Sequence, residues 1–389
     1  MPARITAPII APIIARPRSV RVVVRHIHLW LGLSVGLVFA FAGLTGSVLV
    51  FYPEIDAAFS PALRAVPEGA RPPSWQAVVD TLHREHPSRA GAWRIETAPN
   101  GGAIPVRYYT PKETAGRAFA PMLLWIDPVR LTTIRAGIWG DTIVTWIYDL
   151  HYRLLLGEPG GIAMGIAGIA MLVLIVSGIW AWWPRAGGWW RALRFKRPAA
   201  AIRRLYDLHK LTGLIGLIPL LAVTATGVLL DLPDQTRPLI ARASPIFHMP
   251  VLAVVPTGPA LPVDRLISIA RRRFPDGALA WIETPANATA PTRINLARPG
   301  EPSRRFPRTN VWLDPYTGRI LVVRDGLADT RGDTVLSWLH PLHGGEAFGL
   351  VGRWLAFVTG LVPSVMLGTG LLRWRRRSQS HRAHPRRAA

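Results

Sequence analysis

Four stretches of this 389-residue chain contain no charged residue: Leu29 to Phe51, Gly161 to Trp183, Leu211 to Leu230 and Trp354 to Leu372. Each is about 20 residues long, which at about 1.5 Å per residue crosses a hydrocarbon layer of about 30 Å. Backbone polar groups placed in hydrocarbon must bond within their own segment, so blocks of this kind become membrane-spanning helices. The constraint divides the chain into a basic tail (1–24), a first helix (25–52), an external domain (53–140) and an external approach with the second helix (141–183). A basic loop (184–204), a third helix (205–230), a second external domain (231–332), an approach with the fourth helix (333–372) and a basic tail (373–389) follow.

The formal charge of +23 invites a nucleic-acid reading, but its distribution points elsewhere. Residues 1–28 carry five Arg, 184–204 seven Arg or Lys and 373–389 seven Arg, all without Asp or Glu. The segments 53–150 and 231–342 are nearly balanced, with ten basic against ten acidic and fourteen against ten. Such asymmetry marks the basic segments as cytoplasmic. It assigns the excess charge to anionic lipids rather than nucleic acid. Ala40-Phe41-Ala42 has the spacing of a signal-peptide cleavage site, yet it falls in the middle of an apolar stretch too long for a signal, so the first helix is expected to be retained. The chain has no Cys, which excludes disulfides, thioether-attached haem and Cys-ligated clusters.

The sequence repeats itself. His28, Gly32, Thr45 and Gly46 recur as His209, Gly213, Thr226 and Gly227, an offset of 181. "GDTIVTWIYDLH" (140–151) recurs as "GDTVLSWLHPLH" (332–343), and Gly168, Ser177 and Gly178 recur as Gly360, Thr369 and Gly370. Between them, "RIETAPN" (94–100) resembles "WIETPAN" (281–287), and "WIDP" (125–128) resembles "WLDP" (312–315). The expected architecture is a tandem duplication of helix, external domain, helix. Each external domain opens with a helical pattern, Trp75 to His86 or Val263 to Phe274, followed by alternating stretches such as "IPVRYYT", "MLLWIDP", "TRINLA" and "NVWLDPYTGRILVV". A helix on a small antiparallel sheet is the simplest reading.

Four histidines stand at repeat-matched positions, and topology sorts them. His28 and His209 fall near the cytoplasmic face, His151 and His343 near the external face, one from each repeat at each level. A structural zinc site would require two further donors at each level, whereas a planar haem takes two axial imidazoles and fills the gap with its own apolar ring. Another histidine-held cofactor or metal, or packing alone, remains open at this point. Gly32 and Gly213, one turn beyond their histidines, would leave room for a macrocycle. Gly46 and Gly227, 18 residues along a continuous helix, would return to the histidine face near the other leaflet.

Other residues are candidates of lower specificity. His340 and His26 rival His343 and His28 as ligands. Arg153 and Arg353 near the external face, and Arg25 and Lys210 near the inner one, are candidate partners of propionates. Asp149 and Asp207 are placed to cap helices or to orient an imidazole. Trp180, Trp182, Trp183, Trp189, Trp190 and Trp374 read as interface anchors. His83, His86 and His248 lack repeat counterparts and read as solvated or packing residues.

With "RHIHLWLGLSVGLVFAFAGLTGSVLVFYPEID", "DLHYRLLLGEPG", "LHKLTGLIGLIPLLAVTATG" and "LHPLHGGEAFG" in view, residues 20–375 resemble the PepSY-associated transmembrane family, also called iron-regulated membrane proteins. The resemblance implies four transmembrane helices with two α+β PepSY-like domains outside the bacterial inner membrane, and it extends to members that reduce ferric siderophores with two b-type haems. On that likeness His28 and His209 carry the inner haem and His151 and His343 the outer one. An electron from a separate donor, a quinol or a cytoplasmic reductase, reaches Fe(III) in a siderophore or other chelate. No flavin- or nicotinamide-binding segment is visible, since "GIAGIAM" lies inside an apolar helix. Electron transfer to a quinone or an external redox protein, and a haem-free peptide-binding or assembly role, are the alternatives.

Overall fold

The computed structural model describes residues 20–98, 101–117, 119–184, 188–196 and 200–383. The basic stretches 1–19, 185–187, 197–199 and 384–389, and residues 99–100 of the first Ile-Glu-Thr segment, lie outside the described residues. The first half runs α1 (Val20–Val50), α2 (Tyr52–Ala58), α3 (Pro61–Arg64), α4 (Trp75–Glu85), strands β1 (Trp93–Glu96), β2 (Ile104–Tyr108), β3 (Met122–Asp127) and β4 (Thr132–Ile138), then α5 (Ile143–Arg153), α6 (Gly157–Trp182) and α7 (Trp189–Leu193). The second runs α8 (Ala201–Ile215), α9 (Leu217–Asp231), α10 (Pro233–Ala243), α11 (Val263–Arg273), β5 (Ala278–Glu283), β6 (Thr292–Ala297), β7 (Thr309–Leu313), β8 (Ile320–Arg324), α12 (Arg331–His343) and α13 (Gly349–Ala383).

The chain is a multi-pass membrane protein. Among the described residues α1, α6 and α13 are each long and apolar enough to cross a bilayer, and α8 with α9 would add a fourth span if that bent pair is one. The sequence leads one to expect a continuous third helix, and the structure corrects this: α8 and α9 meet at 61°. Gly216 sits at the joint, and Pro219 in the first turn of α9 has no N–H to continue the ladder, a standard cause of a kink. Glycine lets the bundle close. A Cβ on Gly43 of α1 would fall 2.1 Å from the Gly360 carbonyl oxygen of α13, and nearby Ser47 Oγ donates to the Phe357 carbonyl at 2.8 Å. On the other side α6 meets α9 at Gly165 and Gly168, which face Leu232 and Val228. Small residues with an interhelical hydrogen bond are what hold helices together where lipid and side chain are equally apolar.

The expectation of two separate external domains is also corrected. The strands form one eight-stranded antiparallel sheet in the order β4-β3-β2-β1-β5-β6-β7-β8. The seam is β1 against β5, with Ile95 opposite Ile282, Arg94 opposite Glu283 and Glu96 opposite Trp281. Ile95 and Ile282 hold the same place in the two Ile-Glu-Thr segments, so the halves meet through matching residues. One face of the sheet alternates inward through Trp93, Ile95, Val106, Ile126, Ile282, Ile294 and Val311 into a single core shared with Leu82 of α4 and Leu266 of α11. The two helices satisfy each other's free N-terminal groups: the Trp75 and Gln76 amides donate to the Asp264 carboxylate at 3.0 and 2.8 Å, and the Val263 amide donates to Gln76 Oε1 at 2.8 Å.

Because Ile282 is fully buried at the seam, Ile282→Ala is expected to destabilise the sheet by about 2–5 kcal/mol. Hydrogen exchange on the full-length protein should show β1–β4 and β5–β8 opening together. Independent exchange of the two strand sets would refute a shared core.

Candidate functional site

Each repeat-matched histidine reaches across to a different helix and meets the same three-part receptor. His28 Nδ1 on α1 lies 3.2 Å from the Leu174 carbonyl and 3.0 Å from Ser177 Oγ on α6. His209 Nδ1 on α8 lies 3.1 Å from the Met366 carbonyl and 3.0 Å from Thr369 Oγ1 on α13. Near the sheet, His151 on α5 contacts the Ala42 carbonyl (2.9 Å) and Thr45 Oγ1 (3.2 Å) of α1. His343 on α12 contacts the Val223 carbonyl (3.0 Å) and Thr226 Oγ1 (3.3 Å) of α9.

In every case the residue after the hydroxyl is a glycine against the imidazole: a Cβ would lie 2.9 Å from Cε1 of His28 at Gly178, 3.6 Å from that of His209 at Gly370, 2.8 Å from that of His151 at Gly46 and 3.1 Å from that of His343 at Gly227. Gly46 and Gly227, expected to face a ring near the other leaflet, lie against the imidazoles of His151 and His343. Gly32 and Gly213 are not equivalent in their surroundings. A Cβ on Gly213 would come within 2.9 Å of Met366 Cε, whereas one on Gly32 would find only Leu174 Cδ1 at 3.9 Å.

A carbonyl only accepts, so the Nδ1 of each ring carries a proton, and in the neutral imidazole Nε2 then retains its lone pair. That is the tautomer of a metal-ligating histidine whose second nitrogen is held by the protein. The histidines also come together in the expected pairs. Ring centroids are 6.3 Å apart for His28 and His209, with planes at 89°, and 6.2 Å apart for His151 and His343, with planes at 51°. Two metal–imidazole bonds of about 2 Å, together with about 1.1 Å from each nitrogen to its ring centre, put the centroids of a bis-imidazole metal about 6 Å apart. Among the described residues no three His, Cys, Asp or Glu side chains converge. Each pair therefore presents two imidazoles, one from each half of the chain, as candidate donors to a shared ligand. The two levels lie about 27 Å apart along α1, from His28 to Gly46.

These residues lie within one matched region. A family model for the PepSY-associated TM region matches residues 25–377, which include all four histidines and all four receptors. The chain belongs to that PepSY-associated family. A 240-residue stretch is also 28% identical to an uncharacterized protein of Pseudomonas aeruginosa, covering 58% of this chain. The chain spans about 60% of the length of that relative.

The other candidates in this family member are placed as follows. His26 Nδ1 bonds within its own helix to the Val22 carbonyl, outside the pair. His340 packs on Phe306 with centroids 4.8 Å apart. Arg353, expected to meet a propionate, is instead paired with Glu54 at 2.7 Å and donates to the Val50 carbonyl. Lys210 is likewise engaged, buried against Asp207 at 2.9 Å and donating to the Arg194 carbonyl. Arg153 lies over Tyr152 and lines an open cleft, and Arg25 is exposed.

Neither aspartate orients an imidazole. Asp207 accepts from Arg203, Lys210 and the Lys196 amide, clipping the 194–196 loop to α8. Asp149 accepts from Trp139 Nε1 at 2.9 Å, and burial pushes its carboxyl above the usual range against the pull of that bond. Trp180, Trp183 and Trp190 are exposed, as anchors require, and Trp182, Trp183 and Trp189 form an edge-to-face cluster. His86 packs on Trp93, and His248 bonds to the Ile246 carbonyl. What the sequence reading missed was the carbonyl four residues before each glycine. The repeated Ser/Thr-Gly pairs were its visible trace.

Nitrogen NMR of histidine-labelled protein free of cofactor is expected to show Nδ1-protonated, Nε2-unprotonated imidazoles at positions 28, 151, 209 and 343. Nε2–H tautomers at either pair would contradict the receptor geometry.

Proposed function

We propose that the chain is a transmembrane di-haem b electron-transfer protein of the bacterial inner membrane that reduces Fe(III) in an external chelate, such as a ferric siderophore, to Fe(II). One observation carries the reading: four histidines, each with Nδ1 tied to a neighbouring helix, come together as two pairs with ring centroids 6.3 and 6.2 Å apart on two levels. Haem b at both levels supplies one-electron transfer between the two faces of the membrane. His28 and His209 would hold the inner iron and His151 and His343 the outer one. The receptor carbonyls fix each ring's orientation and raise its basicity, so ligation does not wait on a rotamer search. Leu31, Val35, Phe39, Leu174, Leu220 and Val362 form an apolar cluster within the bundle, a low-dielectric surrounding for a macrocycle. The electron enters from a separate donor, a quinol or a cytoplasmic reductase.

The same reading takes α8 and α9 as one kinked span, giving four, and the whole as a tandem duplication of helix, external half-sheet, helix. The distribution of Arg and Lys supports placing His28 and His209 towards the cytoplasm, the sheet in the periplasm and anionic lipid around the basic segments.

Purified full-length protein is expected to carry two haems, with a reduced-minus-oxidised spectrum of bis-histidine type, and to release Fe(II) from a ferric chelate to a colorimetric trap once reduced. His28→Ala, His209→Ala, His151→Ala and His343→Ala should each lower the content to about one haem or less. Gly46→Leu should do the same through the displaced His151 ring. Two haems retained in all four histidine variants would overturn the assignment.

A further inference from the structure

The two halves of the outer region each carry a hollow at the same place, between the loop before the third strand of the half-sheet and the approach helix, but the two differ in charge. In the first half, a cleft of about 740 Å³ is lined by Arg117 and Arg153 together with Asp141, Asp149 and Glu158. Its three carboxylates outnumber its two guanidinium groups, and Arg117 already lies 3.9 Å from Asp141. In the second half, a pocket of about 270 Å³ is lined by Arg237, Arg308 and His340 over an apolar floor that includes Leu229, Leu336 and Phe306, with no carboxylate among its lining residues.

Nearby acids are occupied elsewhere. Arg324 pairs with Asp329 at 2.9 Å and Asp333 at 2.7 Å. The Glu301 carboxylate accepts the Arg308 and Thr309 amides, and the Glu346 carboxylate accepts from Ser303 Oγ at 2.6 Å. Among the described residues neither Arg237 nor Arg308 has an ion-pair partner. Burial, with Arg324 also nearby, pushes the Arg308 guanidinium below its usual range, against the opposing pull of Asp329 and Asp333, which are themselves paired with Arg324.

We infer that this pocket binds an anionic, aryl- or carboxyl-bearing arm of the Fe(III) chelate, so that the chain selects negatively charged chelates over neutral ones. The inference rests on the function proposed above and adds the substrate class and its seat. Guanidinium groups recognise phenolate and carboxylate oxygens, while the leucines and Phe306 accept the apolar body, the usual division of labour in a small-molecule pocket. A pocket of this volume takes one arm of a chelate and leaves the metal at its mouth. His340 in its wall is one helical turn before His343, whose ring is 6.2 Å from that of His151, so the pocket lies on the same helix as one member of the outer pair. The chemical step is a one-electron reduction of Fe(III) to Fe(II), the electron originating in the quinol or reductase donor. No bond to the protein forms or breaks.

The test uses full-length protein in phosphatidylcholine nanodiscs and two redox-inert probes, the gallium(III) complex of an anionic tris-catecholate and that of a neutral tris-hydroxamate, with binding read by calorimetry. Arg308→Gln and the rim variant Arg237→Gln are each expected to weaken the anionic complex by about tenfold. Arg117→Gln should leave it unchanged, and the neutral complex should bind poorly to all. Equal binding of the two complexes, or unchanged affinity in the Arg237→Gln/Arg308→Gln double variant, would overturn the inference. So would loss of binding on adding phosphatidylglycerol, which would make the pocket a lipid-anion site. Haem content measured on the same samples separates the two readings: Arg308-dependent binding without haem would keep the pocket and reject the electron-transfer function. Haem with charge-blind binding would do the reverse.

Discussion

A polar ring inside a membrane bundle must find a partner or be expelled, and the bond from imidazole Nδ1 to a carbonyl on the neighbouring helix answers that demand four times in this chain. Removing a receptor would leave a donor unpaired in surroundings where that is costly. The receptor is also selective in what it leaves free, because fixing Nδ1 exposes the lone pair of Nε2. The glycine beside each hydroxyl completes the arrangement by letting the imidazole lie close to the helix backbone. Helix packing and ligand geometry are thus set by the same contacts: α1 to α6 through His28, α8 to α13 through His209, α5 to α1 through His151 and α12 to α9 through His343.

Much of this was legible in the chain itself. Three of the four charge-free blocks became single long helices, and the amphipathic segments beginning at Trp75 and Val263 became α4 and α11. Strands β2, β3, β6 and β7 fall on the alternating stretches. The four histidines were visible because an offset between repeats separates patterned residues from accidental ones.

What stayed hidden was non-local or directional. Strand β1 has only four residues, and one of its two partners, β5, lies nearly half the chain away, so nothing local announces that the half-sheets join. The bend at Gly216 is invisible to hydropathy, which counts apolar residues without regard to the direction of the axis. Arg353 and Lys210 looked available for an anionic cofactor group because a sequence does not display their partners Glu54 and Asp207. The spacing places Gly46 about five turns from His28, but the neighbour it meets, the His151 ring, comes from another helix.

The seam between β1 and β5 has a bearing on what a shorter version of this molecule could be. Cut between the halves, either piece would carry a bare inner strand whose amides and carbonyls seek company. Since the residues facing each other there are counterparts, a second identical piece could supply the missing edge in the same register. A polypeptide half as long would then assemble as a symmetric dimer with each imidazole pair shared between subunits.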